Sequence, residues 1–155
     1  MTSFDQSKLS NLLLGALPPR VFDLLLPHMV AVDLPVRHVL VEAGEPTSAV
    51  YFIERGLGSM VAVSADNESV EVGHIGREGM TGLHVLLGTD RTSIRTFMQV
   101  AGAGIEVSVR TFIDVLDQEP ATRDFFLRYV HSCEQQLAHS ALANSRYHMH
   151  ERLAR

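Results

Sequence analysis

Cysteine is nearly absent from this 155-residue chain. Cys133 stands alone, which excludes an intrachain disulfide framework and any all-cysteine zinc or iron–sulfur site within one chain. It reads as a small buried hydrophobe, with a redox-sensing thiol as the alternative. A basic excess is missing too. The formal net charge is −5 and the isoelectric point about 5.9, opposite to the basic face that nucleic-acid binding needs, so any DNA contact is expected from a neighbouring domain. Apolar runs such as 12–14 and 24–26 are far too short to cross a bilayer, and no charged-then-apolar leader opens the chain. The expectation is a soluble, cytoplasmic protein. Internal repeats and low-complexity segments are also absent. What the chain does have is apolar content, 46%, enough for a sizeable core, and eight His that charge below about pH 6.5.

Residues 37–56, RHVLVEAGEPTSAVYFIERG, are the most informative stretch. An apolar strand runs into Ala43-Gly44-Glu45-Pro46, where Gly permits positive φ and Pro presets φ near −65°. A buried strand, Ala49-Val50-Tyr51-Phe52-Ile53, follows. Seven short segments rich in Val, Ile and aromatics are expected as strands: 29–34, 36–41, 49–54, 57–63, 69–75, 95–100 and 105–109. Asp66-Asn67 and Gly102-Ala103-Gly104 read as hairpin tips. Before this β region, residues 5–15 suggest an amphipathic helix capped by Asp5 or Ser7 and ended by Gly15. Pro18-Pro19 opens another, with Val21, Phe22, Leu24 and Leu25 as its apolar face. After it, 110–117 reads as a short helix, and Glu119-Pro120 opens a long one expected to reach Asn144 or beyond. Phe126, Val130, Cys133, Leu137, Ser140, Asn144 and Tyr147 follow a 4-3-4-3 spacing, which suits a parallel helix pair between two chains or packing on the chain's own β domain. A bend is expected near Asn144, followed by a basic amphipathic start over 145–155 that continues in a longer protein.

Residues 73–97, GHIGREGMTGLHVLLGTDRTSIRTF, interrupt the β pattern. Five glycines precede or flank an apolar piece, 83–87, and two arginines, Arg91 and Arg95, stand before or at a strand start. A Gly-rich turn entering a short helix offers backbone N–H groups to an anion, and a nearby arginine can grip a phosphate. An ordinary crossover loop with solvated arginines is the plainer alternative.

In order and spacing, the chain from about Leu12 to Arg155 resembles the sensor half of the Crp/Fnr-type bacterial transcription regulators. The resemblance implies a mainly β jelly roll of the cyclic-nucleotide-binding type with flanking helices. N-terminal helices would occupy 1–27 and the roll 28–109, with a phosphate-binding cassette at 76–96. A short helix and a long dimerisation helix would fill 110–145, and 146–155 would start the helix leading to a winged helix-turn-helix domain that this sequence lacks. Arg95-Thr96 matches the family's Arg-Ser/Thr pair on the cyclic phosphate. The family's Gly-Glu-Leu is met only by Thr81-Gly82-Leu83, and Glu78 stands three to four residues early. By this resemblance Gly79, Gly82, Leu83, Arg95, Thr96 and Ser140 would contact a ligand, possible effectors being a cyclic nucleotide or another small anion, with Gln136 also available. Phe126, Val130, Cys133, Leu137, Ser140 and Asn144 would form the homodimer interface. DNA would be bound only through the absent C-terminal domain.

Two other classes stay open. A cupin-like metal enzyme needs convergent His and Glu ligands. The candidate pair His148 and His150 would diverge by about 200° on a helix, and no strand carries an H-x-H with a following Glu. His74, near the cassette, is the candidate axial ligand for a haem and reads instead as structural. No Ser/His/Asp or Cys/His set has the context for nucleophilic catalysis, so no enzyme activity and no metal is expected. The third class is a dimerising module with a vestigial cassette.

Overall fold

A computed structural model describes residues 4–66 and 68–153, with side chains as far as Leu142. Capping chemistry organises its start. Asp5 accepts the Ser7 N–H at 3.1 Å and begins a 3-10 turn, Gln6–Lys8. Asn11 caps α1 (Leu12–Ala16) by accepting from the Leu13 and Leu14 N–H groups. The single helix expected over 5–15 is thus two short pieces. Asp and Asn each bond the backbone two or three residues on and restart the chain, and Gly15 lies inside α1 rather than ending it. Helix α2 (Pro19–Leu25) begins on proline, whose missing N–H costs nothing there, and buries Val21, Phe22 and Leu25.

The β region is one antiparallel sheet. Its strands are β1 (Val30–Leu34), β2 (Val39–Val41), β3 (Ala49–Val63), β4 (Ser69–Ile75) and β5 (Ile94–Ser108). They run in the order β1-β5-β3-β4, with β2 on the first half of β5. Four expected strands have merged into two. β3 and β5 each run 15 residues and pair along their length, bending through register shifts around Arg55 and Leu57. Gly102-Ala103-Gly104 is no hairpin tip but strand interior. A Cβ on Gly102 would lie 1.8 Å from the Arg55 carbonyl oxygen, so glycine here lets two backbones cross closely. The strand expected from residue 36 starts only at Val39, because Pro35 sets a turn closed by His38 N–H to Pro35 O at 3.1 Å, with Arg37 at φ 70.

Helix α3 (Leu83–Leu86) follows β4. Helix α4 (Val109–Gln118) is capped by the Ser108 hydroxyl, and α5 (Pro120–Leu153) runs on without the bend expected near Asn144. Neither Pro nor Gly occurs after Pro120, so nothing in the sequence breaks the hydrogen-bond ladder. The side chains of Asn144, Tyr147, His148 and His150 lie outside the described residues. No helix of the described residues is long and apolar enough to cross a membrane.

The main core joins all three layers. Phe52 of β3, Phe112 of α4 and Phe126 of α5 pack with ring centroids 5.1–6.4 Å apart, all fully buried. This corrects one expectation. Phe126 and Val130 face their own domain's core, not a seam between chains. A 4-3 spacing marks an apolar face but does not say which surface covers it, and here α4 and β3 reach it first.

Candidate functional site

The segment between β4 and α3 is a bonded turn, not a loose loop. Thr81 N–H donates to Tyr51 O at 2.9 Å, and Thr81 Oγ1 accepts from Tyr51 N–H at 3.0 Å. The Asn11 side-chain amide donates to both Ile53 O and Gly79 O, tying the N-terminal cap, β3 and this turn together. From the other side comes Tyr129 of α5, whose hydroxyl accepts the Met80 N–H at 3.1 Å. A Cβ on Gly79 would stand 2.0 Å from that hydroxyl, and one on Gly73 would meet Leu137 at 3.1 Å. Two glycines therefore let α5 approach β4 and the turn.

Between these contacts lies a cleft in two lobes. The larger, about 650 Å³, runs from β4 and the turn to the outer part of α5, with Gly73, His74, Glu78, Ser132, Gln136 and Ser140 along it. The smaller, about 180 Å³, is bounded by Gly82, Leu83, Leu87, Thr92, Thr96 and Glu134. Met60, Ile75, Cys133 and Leu137 border both. The size suits a small organic molecule.

The sequence-derived site residues divide. Gly82, Leu83 and Thr96 border the small lobe, and Ser140, Cys133 and Leu137 border the large one. Gly79 packs against Tyr129, and its N–H and carbonyl are already bonded to Gly76 and Asn11. Arg95 departs from expectation and borders neither lobe. Strand alternation turns Thr96 inward, 3% exposed, and Arg95 outward. There its Nε lies 3.0 and 3.2 Å from the two Glu42 carboxylate oxygens, and its guanidinium sits 5.7 Å from the Phe97 ring centre. Arg91 is engaged as well, donating from Nη1 to Gly44 O at 2.7 Å. Sequence reasoning missed Asn11, Glu42 and Tyr129. Tyr129 was discoverable: it stands three residues after Phe126 and four before Cys133, on the same helix face.

Electrostatically the cleft is muted. Burial, above all, pushes the Tyr129 phenol well above its ordinary range, and raises the Cys133 thiol against a lowering hydrogen bond from Tyr129. Both stay protonated at neutral pH. Burial lowers the His84 pKa despite the backbone and charge of Asp90, and its Nε2 lies 2.9 Å from Thr47 Oγ1. His74 sits 3.1 Å from Glu71. Among the described residues no group of three His, Cys, Asp or Glu side chains is placed to hold a metal ion.

No family model matches the chain, and no curated protein does. Solved structures do match. The c-di-GMP-responsive global regulator CLP of Xanthomonas campestris is 20% identical with a TM-score of 0.60, over 83% of this chain and 62% of its own. The sensor domain of the transcriptional regulator DNR from Pseudomonas aeruginosa is 16% identical with a TM-score of 0.60, over 92% and 85%. A regulatory subunit of a cAMP-independent protein kinase A from Trypanosoma cruzi, bound to guanosine, is 15% identical with a TM-score of 0.67, over 88% and 47%. The chain thus spans about three fifths of the first and about half of the third. Its fold is that of cyclic-nucleotide-binding-type jelly rolls with flanking helices and a long C-terminal helix.

Proposed function

We propose that this chain is the effector-sensing and dimerisation part of a Crp/Fnr-type transcription regulator, and that the two-lobed cleft is its effector site. One observation carries this reading: α5 walls the cleft through Cys133 and Leu137 and continues past it as a single helix to Leu153. Anything seated against Cys133 and Leu137 bears directly on the direction in which α5 leaves the domain. A ligand with different affinities for two settings of that helix would shift their populations. A DNA-binding domain attached beyond would then be re-aimed on a two-fold operator.

Dimerisation through α5 is supported by its length. Its 34 residues span about 50 Å at 1.5 Å per residue, and from Glu134 to Leu142 every side chain but Leu137 and Ser140 is exposed. Phe126 and Val130 are committed to the core, so a helix pair would use the outer part of α5, where Asn144 would lie.

A second reading is favoured by the Arg95–Glu42 pair. A cassette whose arginine is held outside the cleft also fits a ligand-independent dimeriser. Titration of the domain with cyclic AMP, cyclic GMP, cyclic di-GMP and guanosine, read by thermal shift and by sedimentation, separates the two. A ligand at 100 times its Kd adds about 2.7 kcal/mol of stability. The sensor reading expects a shift with at least one compound on a dimeric protein. A dimer that responds to none supports the second reading, and a monomer that responds to none refutes both.

A further inference from the structure

We infer, building on the effector-cleft reading above, that the cleft selects an uncharged, partly apolar small molecule and discriminates against phosphate and other anions. The positive charge that an anion needs is placed elsewhere. Among the described residues no Arg or Lys borders either lobe. Of the three arginines of the segment, Arg77 is exposed and outside both lobes, and the other two are bonded on the outer side, Arg95 to Glu42 and Arg91 to the Gly44 carbonyl. Releasing Arg95 inward would break a charge-assisted pair, leave Glu42 unpaired and require β5 to turn by one residue, which would expel the buried Thr96.

The charges that do border the cleft have the wrong sign for a phosphate. Glu78 lies in the large lobe, where its Oε1 accepts the Gly76 N–H at 2.8 Å, and Glu134 lies in the small one. The three imidazoles do not offset them: His74 faces Glu71, His84 is held toward neutrality by burial, and His139 lies at the rim on the exposed side of α5. Among the described residues a bound anion would meet carboxylates with no fixed cation opposite, and leaving a charge unpaired in a partly desolvated cleft is costly.

What remains suits a neutral guest. Met60, Ile75 and Leu137 form an apolar waist shared by both lobes. Gln136, Ser140 and Thr96 supply uncharged donors and acceptors at three points around it. Tyr129 and Cys133 both stay protonated and complete a wall without charge. This is the pattern of a mostly apolar site oriented by a few polar groups.

The test uses two fluorescent probes with one ring system. N-phenyl-1-naphthylamine is neutral, and 8-anilinonaphthalene-1-sulfonate carries an anion on the same skeleton. Each is titrated into the whole domain, its Ser140→Trp variant (which fills the large lobe), and its Arg95→Ala and Glu78→Gln variants. The neutral probe is expected to bind one per chain and at least tenfold tighter than the sulfonate. Ser140→Trp should weaken it tenfold or more, Arg95→Ala should leave it unchanged, and Glu78→Gln should narrow the gap between the probes. A sulfonate that binds as tightly as the neutral probe, and loses affinity in Arg95→Ala, overturns the inference while leaving the effector cleft standing. Probe binding that Ser140→Trp does not weaken, or no binding of either probe, overturns both.

Discussion

Replacing Asn11 by alanine removes four hydrogen bonds from a fully buried side chain. Its oxygen accepts the Leu13 and Leu14 N–H groups at 3.1 and 3.0 Å, and its amide donates to Ile53 O and Gly79 O at 2.9 and 2.8 Å. Loss of such a helix cap costs about 1 kcal/mol. Each carbonyl stripped of a buried donor costs about 1 kcal/mol more, the low end of the range, because a carbonyl keeps a second lone pair. The sum is about 3 kcal/mol, and for a domain of this size each kcal/mol moves the melting temperature by about 2–4 °C. Calorimetry should therefore find Asn11→Ala melting about 6–12 °C lower. Asn11→Asp sharpens the test. It keeps the acceptor but turns a carboxylate toward two carbonyl oxygens, so the folded state holds the acid above its ordinary pKa. The penalty is present at neutral pH and shrinks as pH falls toward about 4, where a protonated carboxyl can again donate to one carbonyl. Asn11→Asp should thus be less stable than Asn11→Ala at pH 7 and overtake it in acid. A melting shift under about 2 °C for Asn11→Ala, or an Asp variant more stable than Ala at pH 7, would refute the reasoning.

Three further outcomes follow from the same contacts. Gly102→Ala drives a methyl into the Arg55 carbonyl and should cost about 3 kcal/mol or prevent folding, seen in urea denaturation, whereas Gly44→Ala, with open space around it, pays only for its positive φ. Phe126→Ala should cost about 3–5 kcal/mol of domain stability, as expected for a buried aromatic, rather than only loosening a dimer; sedimentation of a folded, fully stable monomer would return Phe126 to the seam. Burial, with Glu106 beside it, pushes the Tyr51 phenol up to about 12. The unfolded chain deprotonates first, so stability is full below pH 10 and falls between about pH 10 and 12. Tyr51→Phe should flatten that loss, and an unchanged alkaline slope would contradict the assignment.

Much of this architecture is local and was therefore readable from residue order. Proline at the first turn of α2, the Gly44 turn and a long helix without Gly or Pro each act within a few residues, where backbone geometry and short-range hydrogen bonds decide. The change from period 2 to period 3.6 near residue 109 marked the end of the roll for the same reason.

The cleft is another matter, because its character depends on partners far apart in the chain. Period-2 alternation says that Arg95 and Thr96 face opposite sides, but not which side holds the cleft; the register of β5 on β2 and β3, and Glu42 lying 53 positions away from Arg95, settle that. Gly102 read as a turn until β3 was found crossing it, since a glycine needed for chain reversal and one needed for close approach look alike in a string of letters. Phe126 likewise carried an apolar face whose cover is chosen by whichever surface packs against it most completely. Residue types and spacing set which local elements form, while long-range packing sets which faces meet, and the chemistry of the cleft belongs to the faces.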